Sequence, residues 1–432
     1  MQVIADLQLH SRFSRAVSPQ MTLPNIAMWA KRKGIGLVAT GDWTHPIWFR
    51  EIERDLEELG NGLLALKSQK TPLFLLATEV SCIYSQGGKV RRIHTLIWVP
   101  TLESARKISQ EMTKRGCNLM SDGRPIVGLT SIQIAELVLS IEPKALIIPA
   151  HAWTPWFSVY GSLGGFKSID EAFGPYAKYI YAVETGLSSN PAMNWRIKEL
   201  DNRAIVSFSD AHSGPKLGRE ATVFDVDKLT YGAIYEAISK QRNIAYTIEF
   251  YPEEGKYHYT GHRACGIRWS PEESKKKGIT CPVCGKPLTQ GVMQRVEELS
   301  GRSEEDLKLV KTNDKRIASK TFPNRPPFVS LVPLQEIISE SIGSPVTSPK
   351  VQVVYVALTD ALGGEFTVLL NSSREAIEKI AGSRIASAIE KVRSGDIVID
   401  PGYDGVFGVV KIWKEGEEKP ILDASKEQLA MF

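Results

Sequence analysis

Short runs of aliphatic and β-branched residues alternate with amphipathic segments along about the first 245 residues. Compact apolar runs are typical of strands buried on both faces, and apolar positions three and four apart are typical of helices that cover a sheet. The runs predict strands at Val3–Asp6, Leu37–Thr40, Leu73–Thr78, Ile93–Val99, Ala145–Pro149, Ile180–Glu184 and Ala204–Ser207. The segments between them predict helices that include Pro24–Lys33, Leu102–Lys114 and Ser131–Ser140. This alternation is typical of an α/β domain with a mainly parallel sheet or barrel, and we assign it residues 1–245.

The pattern changes after residue 245. Residues 246–294 are rich in glycine, lysine, histidine and cysteine and lack apolar periodicity, so they predict a small domain that needs a metal staple. Residues 295–420 predict a mainly helical C-terminal domain: a charged helix at Arg295–Leu307, a basic proline-containing loop at Lys315–Phe328, a helix at Leu331–Ile342 and two short helices around Gly382. Residues 421–432 read as a polar tail that ends in apolar side chains.

Composition narrows the class of protein only slightly. The 432 residues, 43% hydrophobic and 24% charged, are typical of a soluble globular protein with two or three packed units. No segment approaches the roughly 20 apolar residues of a membrane helix, and the start lacks a signal-peptide pattern, so we expect a cytoplasmic protein without a membrane partner. The net charge of +4 barely favours a nucleic-acid partner.

Histidines and carboxylates cluster at the ends of the predicted strands. Five of the seven histidines follow strands or lie in strand-terminal loops: His10, His45, His94, His151 and His212. Carboxylates occur at the same level: Asp6, Asp42, Glu79, Glu184 and Asp210. Strand ends meet on one face of an α/β fold, so these side chains predict a site for several metal ions, whereas the alternative gives each histidine a purely structural role.

The mixture of imidazole and carboxylate donors indicates which ions the site would take. Imidazole suits zinc, manganese or iron(II) better than magnesium alone, although the sequence leaves magnesium open. Two or three such ions close together can activate water and orient a phosphate. We therefore predict a metal-dependent hydrolase of phosphoesters.

A second cluster has the spacing of a structural zinc site. His262 and Cys265 form an H-x2-C pair, and Cys281 and Cys284 form a C-x2-C knuckle fifteen residues further on. Four protein ligands close the coordination sphere, so this zinc stabilises the fold, with His258 as an alternative ligand to His262. The remaining thiols, Cys82 and Cys117, are read as ordinary cysteines.

The segments IADLQLHS, ATGDWTHP, LLATEVS, RRIHTLI, IIPAHAW and SFSDAHS resemble, in this order, the successive motifs of the polymerase and histidinol phosphatase (PHP) family. The resemblance implies a distorted β/α barrel with a trinuclear metal site. It implies these metal ligands: His10, Asp42, Glu79, His94, His151, Asp210 and His212. His45 joins this set by its position, and the further candidates are Asp6, Gln8 and Glu184.

Gln8 departs from the family pattern. The first family motif is histidine, any residue, histidine, and this chain has Gln8 in the first position and His10 in the second. A glutamine carbonyl binds hard cations weakly, so the change puts one ligand of one metal in doubt and favours magnesium or manganese at that position.

Segments after residue 245 resemble a narrower family, endonuclease Q. They are GKYHYTGHRACG, CPVCGKPLTQGVMQRVEEL, NRPPFVSLVPLQEII and PGYDGVFGVVKIW. The resemblance implies a DNA repair endonuclease that cuts 5′ to uracil, hypoxanthine or xanthine, or at abasic sites. No segment matches G-x-x-x-x-G-K-S/T, so we expect no use of ATP. Two alternatives are a phosphatase of a small phosphorylated metabolite and a DNA-binding scaffold that has lost catalysis.

Several residues are candidates for binding partners. Side chains beside the metal motifs could hold DNA phosphates: Ser11, Arg12, Arg15, Lys216 and Arg219. The helices around Gly382 form either a packed pair or a phosphate-binding hairpin. The C-terminal residues resemble the peptide that binds the bacterial sliding clamp, with these anchors: Gln428, Leu429, Met431 and Phe432.

Overall fold

The computed structural model describes residues 1–417 of the chain. The strands up to residue 249 are β1 (Gln2–Asp6), β2 (Leu37–Ala39), β3 (Leu56–Glu58), β4 (Leu64–Leu66), β5 (Gln69–Gln86), β6 (Lys89–Val99), β7 (Ile126–Val127), β8 (Leu146–Pro149), β9 (Ala182–Glu184), β10 (Ala204–Val206), β11 (Ala221–Asp225) and β12 (Ile244–Glu249). The helices among them are α1 (Leu23–Lys33), α2 (Pro46–Asp55), α3 (Leu102–Lys114), α4 (Ser131–Ile141), α5 (Ile169–Phe173), α6 (Pro191–Trp195) and α7 (Tyr231–Ser239).

Shorter strands and a run of helices follow. The strands are β13 (Thr260–His262), β14 (Ile267–Trp269), β15 (Leu309–Lys311), β16 (Ile317–Ser319), β17 (Phe328–Ser330), β18 (Val398–Asp400) and β19 (Val409–Lys411). The helices are α8 (Pro271–Lys277), α9 (Val292–Leu299), α10 (Leu334–Ile342), α11 (Pro349–Leu362), α12 (Glu365–Leu370), α13 (Arg374–Ala381) and α14 (Ser383–Ser394). No helix within residues 1–417 has both the length and the apolar character needed to span a bilayer.

The first domain is a distorted barrel. Strands β1, β2 and β5 run parallel, β5 pairs antiparallel with β6, and β6 pairs antiparallel with β8. The backbone N–H of Ala152 donates to the Glu184 carbonyl at 2.9 Å, which joins the end of β8 to β9. Strand β9 pairs with β10, and a bridge between Leu9 and Ala211 closes the ring back to β1. The predicted distorted β/α barrel is confirmed.

The β5–β6 hairpin is longer than its apolar pattern predicted. Strand β5 spans 18 residues, and the hairpin turns at Gly87 and Gly88, whose φ angles of 59° and 71° fit a tight two-residue turn. The continuous apolar run covers only Leu73–Thr78. The pattern missed the rest of β5, including the mostly buried residues 79–84, because polar side chains such as Glu79 and Ser81 interrupt the run there. The hairpin matters for the site because it places Ser81 opposite His94.

The central sheet continues beyond residue 245. Strand β17 pairs in parallel with β12, and β15 and β16 extend this edge. The prediction of a loop over Lys315–Phe328 is therefore wrong in part, because the segment contains β16 and the first residue of β17. Strands of three residues are too short to show alternation in sequence. The domain limits at residues 245 and 294 stay predictions.

The C-terminal helices α10 to α14 form a helical region, while the limits of the predicted mainly helical domain, residues 295–420, stay a prediction. Gly382 separates α13 from α14 with a φ of 85°, as expected for the glycine turn. A buried ion pair attaches this unit to the barrel: Lys33 Nζ of α1 lies 2.6 Å from the Glu365 carboxylate of α12. Tyr355 donates to the same carboxylate at 2.7 Å. The clamp-like residues 428–432 lie outside the described residues.

Candidate metal centre

The strand ends bring histidines and carboxylates from all parts of the barrel to one place. Asp42 follows β2, His151 follows β8 and Asp210 follows β10. All three have left-handed backbones, with φ of 45°, 30° and 47°. Residues other than glycine rarely adopt this conformation, and such strain concentrates at functional sites. These turns therefore hold a strained backbone conformation, and that conformation directs the three side chains into the barrel mouth.

The first donor group consists of His10, Asp210 and His212. The Nε2 atom of His10 lies 3.1 Å from Asp210 Oδ1. Asp42 Oδ1 lies 3.0 Å from the opposite nitrogen, Nδ1, and so fixes the ring orientation. Nδ1 of His212 lies 2.8 Å from the Asp210 carbonyl oxygen, which leaves its Nε2 available to an ion.

The second donor group consists of Glu79, His94 and His151. Glu79 Oε1 lies 2.5 Å from His94 Nδ1 and 3.4 Å from His151 Nε2, and those two nitrogens are 3.1 Å apart. Three donors at these separations suit an ion about 2 Å from each. The other oxygen of Glu79 lies 3.1 Å from His10 Nε2, so this carboxylate spans both groups.

Buried polar atoms without hydrogen-bond partners mark the same place. Among the described residues, Gln8 Oε1 and Glu184 Oε1 are buried here without a hydrogen bond. His10 Nε2, Glu79 Oε1 and Asp210 Oδ1 have the ion-pair contacts given above but no well-formed hydrogen bond. Buried polar groups are normally satisfied, and each unsatisfied group costs free energy. Burial opposes charge on His10, but the surrounding carboxylates, Asp42 first, hold its pKa well above the usual value. The donor set therefore fits divalent cations.

Gln8 occupies the position of the missing first histidine. Its Nε2 donates to Glu79 Oε2 at 2.9 Å, and its Oε1 is buried without a partner. The side chain therefore holds the bridging carboxylate on one side and presents one oxygen donor on the other. The structure brings this further candidate to the centre.

Two further candidates, Asp6 and Glu184, are also buried at the barrel mouth. Asp6 accepts from the Ser209 backbone at 3.0 Å, the Ser209 hydroxyl at 2.6 Å and the Gly218 backbone at 2.9 Å. These bonds occupy both of its oxygens and favour a role in anchoring the loop that carries Asp210. Glu184 accepts from the His151 backbone at 2.6 Å, and burial raises its pKa well above the usual value.

The structure places His45 and Asp42 beside the two donor groups. His45 caps α2, where its Nδ1 accepts from the Trp48 backbone, and its ring stacks on Phe13 at 4.5 Å. This geometry favours a helix-capping role over the predicted ligand role.

Asp42 accepts from the Ser11 hydroxyl at 2.7 Å and also contacts Nδ1 of His10. It therefore orients the His10 ring from the side that faces away from the donor group.

Arg124 is a candidate that the sequence did not reveal. Its Nη1 lies 3.6 Å from Glu79 Oε1, and its side chain is 26% exposed. Burial opposes the guanidinium charge, but Glu79 and Asp210 outweigh it and raise the pKa of Arg124. The preceding residue is Gly123, where an added Cβ would lie 2.4 Å from Asp42 Oδ2. Because Gly123 has no side chain, the loop can pass close to Asp42 and place the Arg124 guanidinium beside the donor groups.

The predicted phosphate-binding residues near His10 differ in availability. Ser11 is buried and donates to Asp42. Arg12 is paired with Glu51 at 2.5 Å. Arg15 is 85% exposed and has only a distant carboxylate neighbour at 3.7 Å, so it is the freest of the three.

The other two predicted phosphate-binding residues lie after β10. Lys216 forms an ion pair with Glu336 of α10 at 2.8 Å, which ties the barrel to the helical domain. Arg219 donates from Nη2 to the Ser209 carbonyl at 3.2 Å, and its Nε is buried without a partner. Arg219 therefore retains a donor beside the loop of Asp210.

The predicted zinc ligands also converge. The ligand atoms of the four residues lie within 4.8 Å of one another: His262, Cys265, Cys281 and Cys284. Burial raises the pKa of Cys281, but backbone hydrogen bonds, that of Cys284 first, outweigh it and lower the value to about 6. A thiolate is the form that binds zinc. His258 is buried outside this group.

Comparisons with known proteins show which solved structures the whole chain is similar to. The structure resembles the lesion-specific endonuclease PfuEndoQ from Pyrococcus furiosus, with a TM-score of 0.81, 32% identity and 95% coverage of both chains. It also resembles an endonuclease Q complex with a 27-mer duplex that has an abasic lesion at the active site, with a TM-score of 0.80 and 32% identity. That match covers 96% of this chain and 98% of the other.

Two sequence relatives and one family model extend the comparison. The Bacillus subtilis protein YqxK is 30% identical over 431 residues, which are 95% of this chain and 99% of YqxK. The Methanocaldococcus jannaschii protein MJ0043 is 35% identical over 268 residues, 60% of this chain but only 31% of MJ0043. Residues 333–396 match the MJ0043 C-terminal domain model, which spans α10 to α14.

Barrel, donor groups and comparisons together define a metal-dependent phosphoesterase of the PHP type. Within that class the matches extend along nearly the whole chain, through the cysteine cluster and the terminal helices. The chain belongs to the endonuclease Q family.

Proposed function

We propose that this protein is a DNA repair endonuclease that cuts the phosphodiester bond 5′ to deaminated bases (uracil, hypoxanthine or xanthine) and abasic sites. The observation that carries the proposal is the pair of donor groups joined by Glu79 at the barrel mouth. The family supports the proposal, because the similar solved structures are a lesion-specific endonuclease and an endonuclease Q bound to duplex DNA with an abasic lesion.

We assign one catalytic ion to each donor group, the first with His10, Asp210 and His212 and the second with His94 and His151. Glu79 would offer one oxygen to each group, and Gln8 would offer its free oxygen beside the first group. Zinc, manganese, iron or magnesium are the candidate ions. A further zinc is structural and takes the cluster of His262 and three cysteines.

Divalent ions in these groups would lower the pKa of a water molecule and would supply positive charge at the phosphate. The protein's own residues set the geometry. Asp42 holds His10 so that Nε2 faces the barrel mouth. Thr154 does the same for His151, its hydroxyl lying 3.1 Å from Nδ1. Arg124 projects toward the same space and would hold a non-bridging phosphate oxygen.

Cleavage of an end-labelled duplex with a single deoxyuridine tests this function. With magnesium or manganese added, we expect a nick directly 5′ of the uracil and none in the undamaged duplex. Asp210→Ala removes a donor from the first group and should abolish the nick. Intact DNA together with rapid hydrolysis of nitrophenyl phosphate would contradict the proposal and favour a metabolite phosphatase.

From the sequence we also propose a partner and a location for the protein. The C-terminal tail, with Gln428, Leu429, Met431 and Phe432, would dock into the groove of a bacterial sliding clamp. Deletion of residues 428–432 should then abolish clamp binding, and unchanged affinity would refute the idea. A cytoplasmic location suits the thiol cluster, because a reducing compartment keeps cysteines free for zinc.

A further inference from the structure

Phe407 is an exposed aromatic ring that a rigid turn holds out into solvent. Its exposed fraction is 66%, among the largest of the hydrophobic residues described. Tyr403 and Val406 exchange two backbone hydrogen bonds of 3.0 and 2.8 Å around Asp404 and Gly405, whose φ angles are 42° and 85°. This is the geometry of a tight two-residue turn. The ring is therefore presented by ordered backbone.

The turn is also fixed to the zinc-binding segment. The carboxylate of Asp404 accepts from the Arg263 backbone at 2.7 Å and from the Thr289 hydroxyl at 2.5 Å. The Gly405 N–H donates to the Lys256 carbonyl at 2.9 Å. These bonds hold the tip of the turn in one position, which a residue that enters another molecule requires.

A chain of contacts connects Phe407 to the candidate metal centre. The ring of Phe157 lies 4.9 Å from the ring of His94. The next aromatic residue, Trp156, lies 5.0 Å edge-to-face from Tyr257. Lys256, beside Tyr257, places its Nζ 4.4 Å from the centre of the Phe407 ring. Aromatic and chain neighbours thus connect the turn that carries Phe407 to the segment of Phe157 that contacts His94.

The charge around the ring identifies what it meets. Lys256 and Arg263 lie beside the turn, both are exposed, and no ion pair among residues 1–417 involves either of them. A surface that combines an apolar tip with unpaired cations suits a polyanion with stacked apolar groups inside, which is DNA. A second copy of this chain would bring like charges together and is disfavoured.

We propose that Phe407 is a wedge that enters the base stack of duplex DNA at the lesion, while Lys256 and Arg263 bind the flanking phosphates. This inference rests on the proposed function and extends it to the way a paired lesion is opened. Unstacking a base from a duplex costs free energy, and an apolar side chain that fills the gap offsets part of that cost. The wedge is therefore needed for a paired lesion and dispensable for one that is already unpaired.

Single-turnover cleavage of two substrates tests the wedge. One is a duplex with a single paired deoxyuridine, and the other has the same deoxyuridine in a bubble of non-complementary bases. For Phe407→Ala we expect a rate about tenfold lower on the duplex and nearly unchanged on the bubble. Phe407→Trp should restore the duplex rate. Val409→Ala is the matched control, because Val409 is also exposed, at 43%, but lies on β19 beyond the turn.

A binding measurement separates this inference from the proposed function. In an Asp210→Ala background, 2-aminopurine opposite the uracil should brighten when the protein binds, because its stacking is lost, and Phe407→Ala should remove that increase. An equal loss of rate on duplex and bubble, or no loss on either, would overturn the wedge even if the enzyme cuts. If the wild-type protein cuts neither substrate, the proposed function fails, and the fluorescence result still decides the wedge.

Discussion

Glu79 is the residue on which the account of the site depends. It is the only one of the candidate ligands described here whose two oxygens face different donor groups, with 2.5 Å to His94 on one side and 3.1 Å to His10 on the other. Burial opposes its charge, but interactions with its neighbours, His94 first and then Arg124, hold its pKa well below the usual value. Burial lowers the pKa of His94 to about 4, so Arg124 is the cation of the two near neutral pH. The carboxylate is thus ready to bind ions across the working pH range.

Arg124 should contribute to catalysis by holding the phosphate. A bidentate donor aimed at a phosphate contributes most when charge builds up in the transition state, so Arg124→Gln should lower kcat/KM on lesion-containing DNA by about 100-fold. Arg124→Lys should recover part of the loss, because it keeps the charge but not the planar fork. Steady-state cleavage and competition by inorganic phosphate measure both effects.

The matched control for Arg124 is Arg115→Gln. Arg115 caps α3, pairs with Glu111 at 3.2 Å and belongs to the same stretch of chain. We expect it to cleave like the wild type. If the two variants lose activity equally, or if Arg124→Gln keeps full activity and phosphate affinity, Arg124 has no role at the phosphate.

The sequence predicted part of this site for a definable reason. His10, Asp210 and the other strand-end residues could be found because the ends of barrel strands converge. Arg124 could not, because a single arginine in a loop has no periodicity, and its position depends on Gly123 passing close to Asp42. His45 was predicted from the same kind of position as the other candidate ligands, and the structure shows that its Nδ1 caps α2.

At the scale of elements, the apolar pattern found seven strands of the first domain and missed buried ones, β11 and β12 among them. All seven predicted strands of the first domain exist, because each carries a continuous apolar run. Strands β15, β16 and β17 did not stand out, since three residues are too few to show an alternating pattern. Their presence makes the edge of the sheet a bridge between β12 and the helical domain.

The zinc segment should depend on its metal for stability. Its own apolar cluster is small, with Trp269, Cys281 and Leu288 as the buried members, so metal must supply much of its stability. Cys281→Ser should therefore lose one zinc and make residues 262–288 sensitive to protease, while the barrel stays folded. Elemental analysis, limited proteolysis and circular dichroism measure these outcomes. Full zinc content or an unchanged digestion pattern would show that the cluster is not the staple.

At the scale of the whole molecule, buried carboxylates make stability depend on pH. Glu249, at the end of β12, accepts from the Ser207 hydroxyl at 2.6 Å and has one oxygen without a partner. Burial raises its pKa from 4.5 to about 7, although hydrogen bonds from Ser207 and Thr247 oppose the rise. The folded state therefore binds this proton more tightly than the unfolded state does.

The sign of the effect follows from that difference. The stabilising contribution is complete below the unfolded pKa and is lost as pH rises through the folded value, so the free energy of unfolding should fall between about pH 5 and about pH 8. In Glu249→Gln, the fall in the free energy of unfolding over this pH range should be smaller by roughly 1 to 3 kcal/mol. Urea unfolding at several pH values measures it, with Glu236→Gln on the exposed face of α7 as control. An identical decline in wild type and Glu249→Gln would contradict the assignment.

The central claim is that Glu79 joins two catalytic metal sites, and metal content measured together with nicking tests it most directly. The wild type should hold ions in both donor groups and in the cysteine cluster, whereas Glu79→Gln should keep only the structural zinc and fail to nick a deoxyuridine duplex. Glu103→Gln, the same change on exposed α3, should match the wild type. A Glu79→Gln protein that retains wild-type metal content and cuts the duplex would contradict the account.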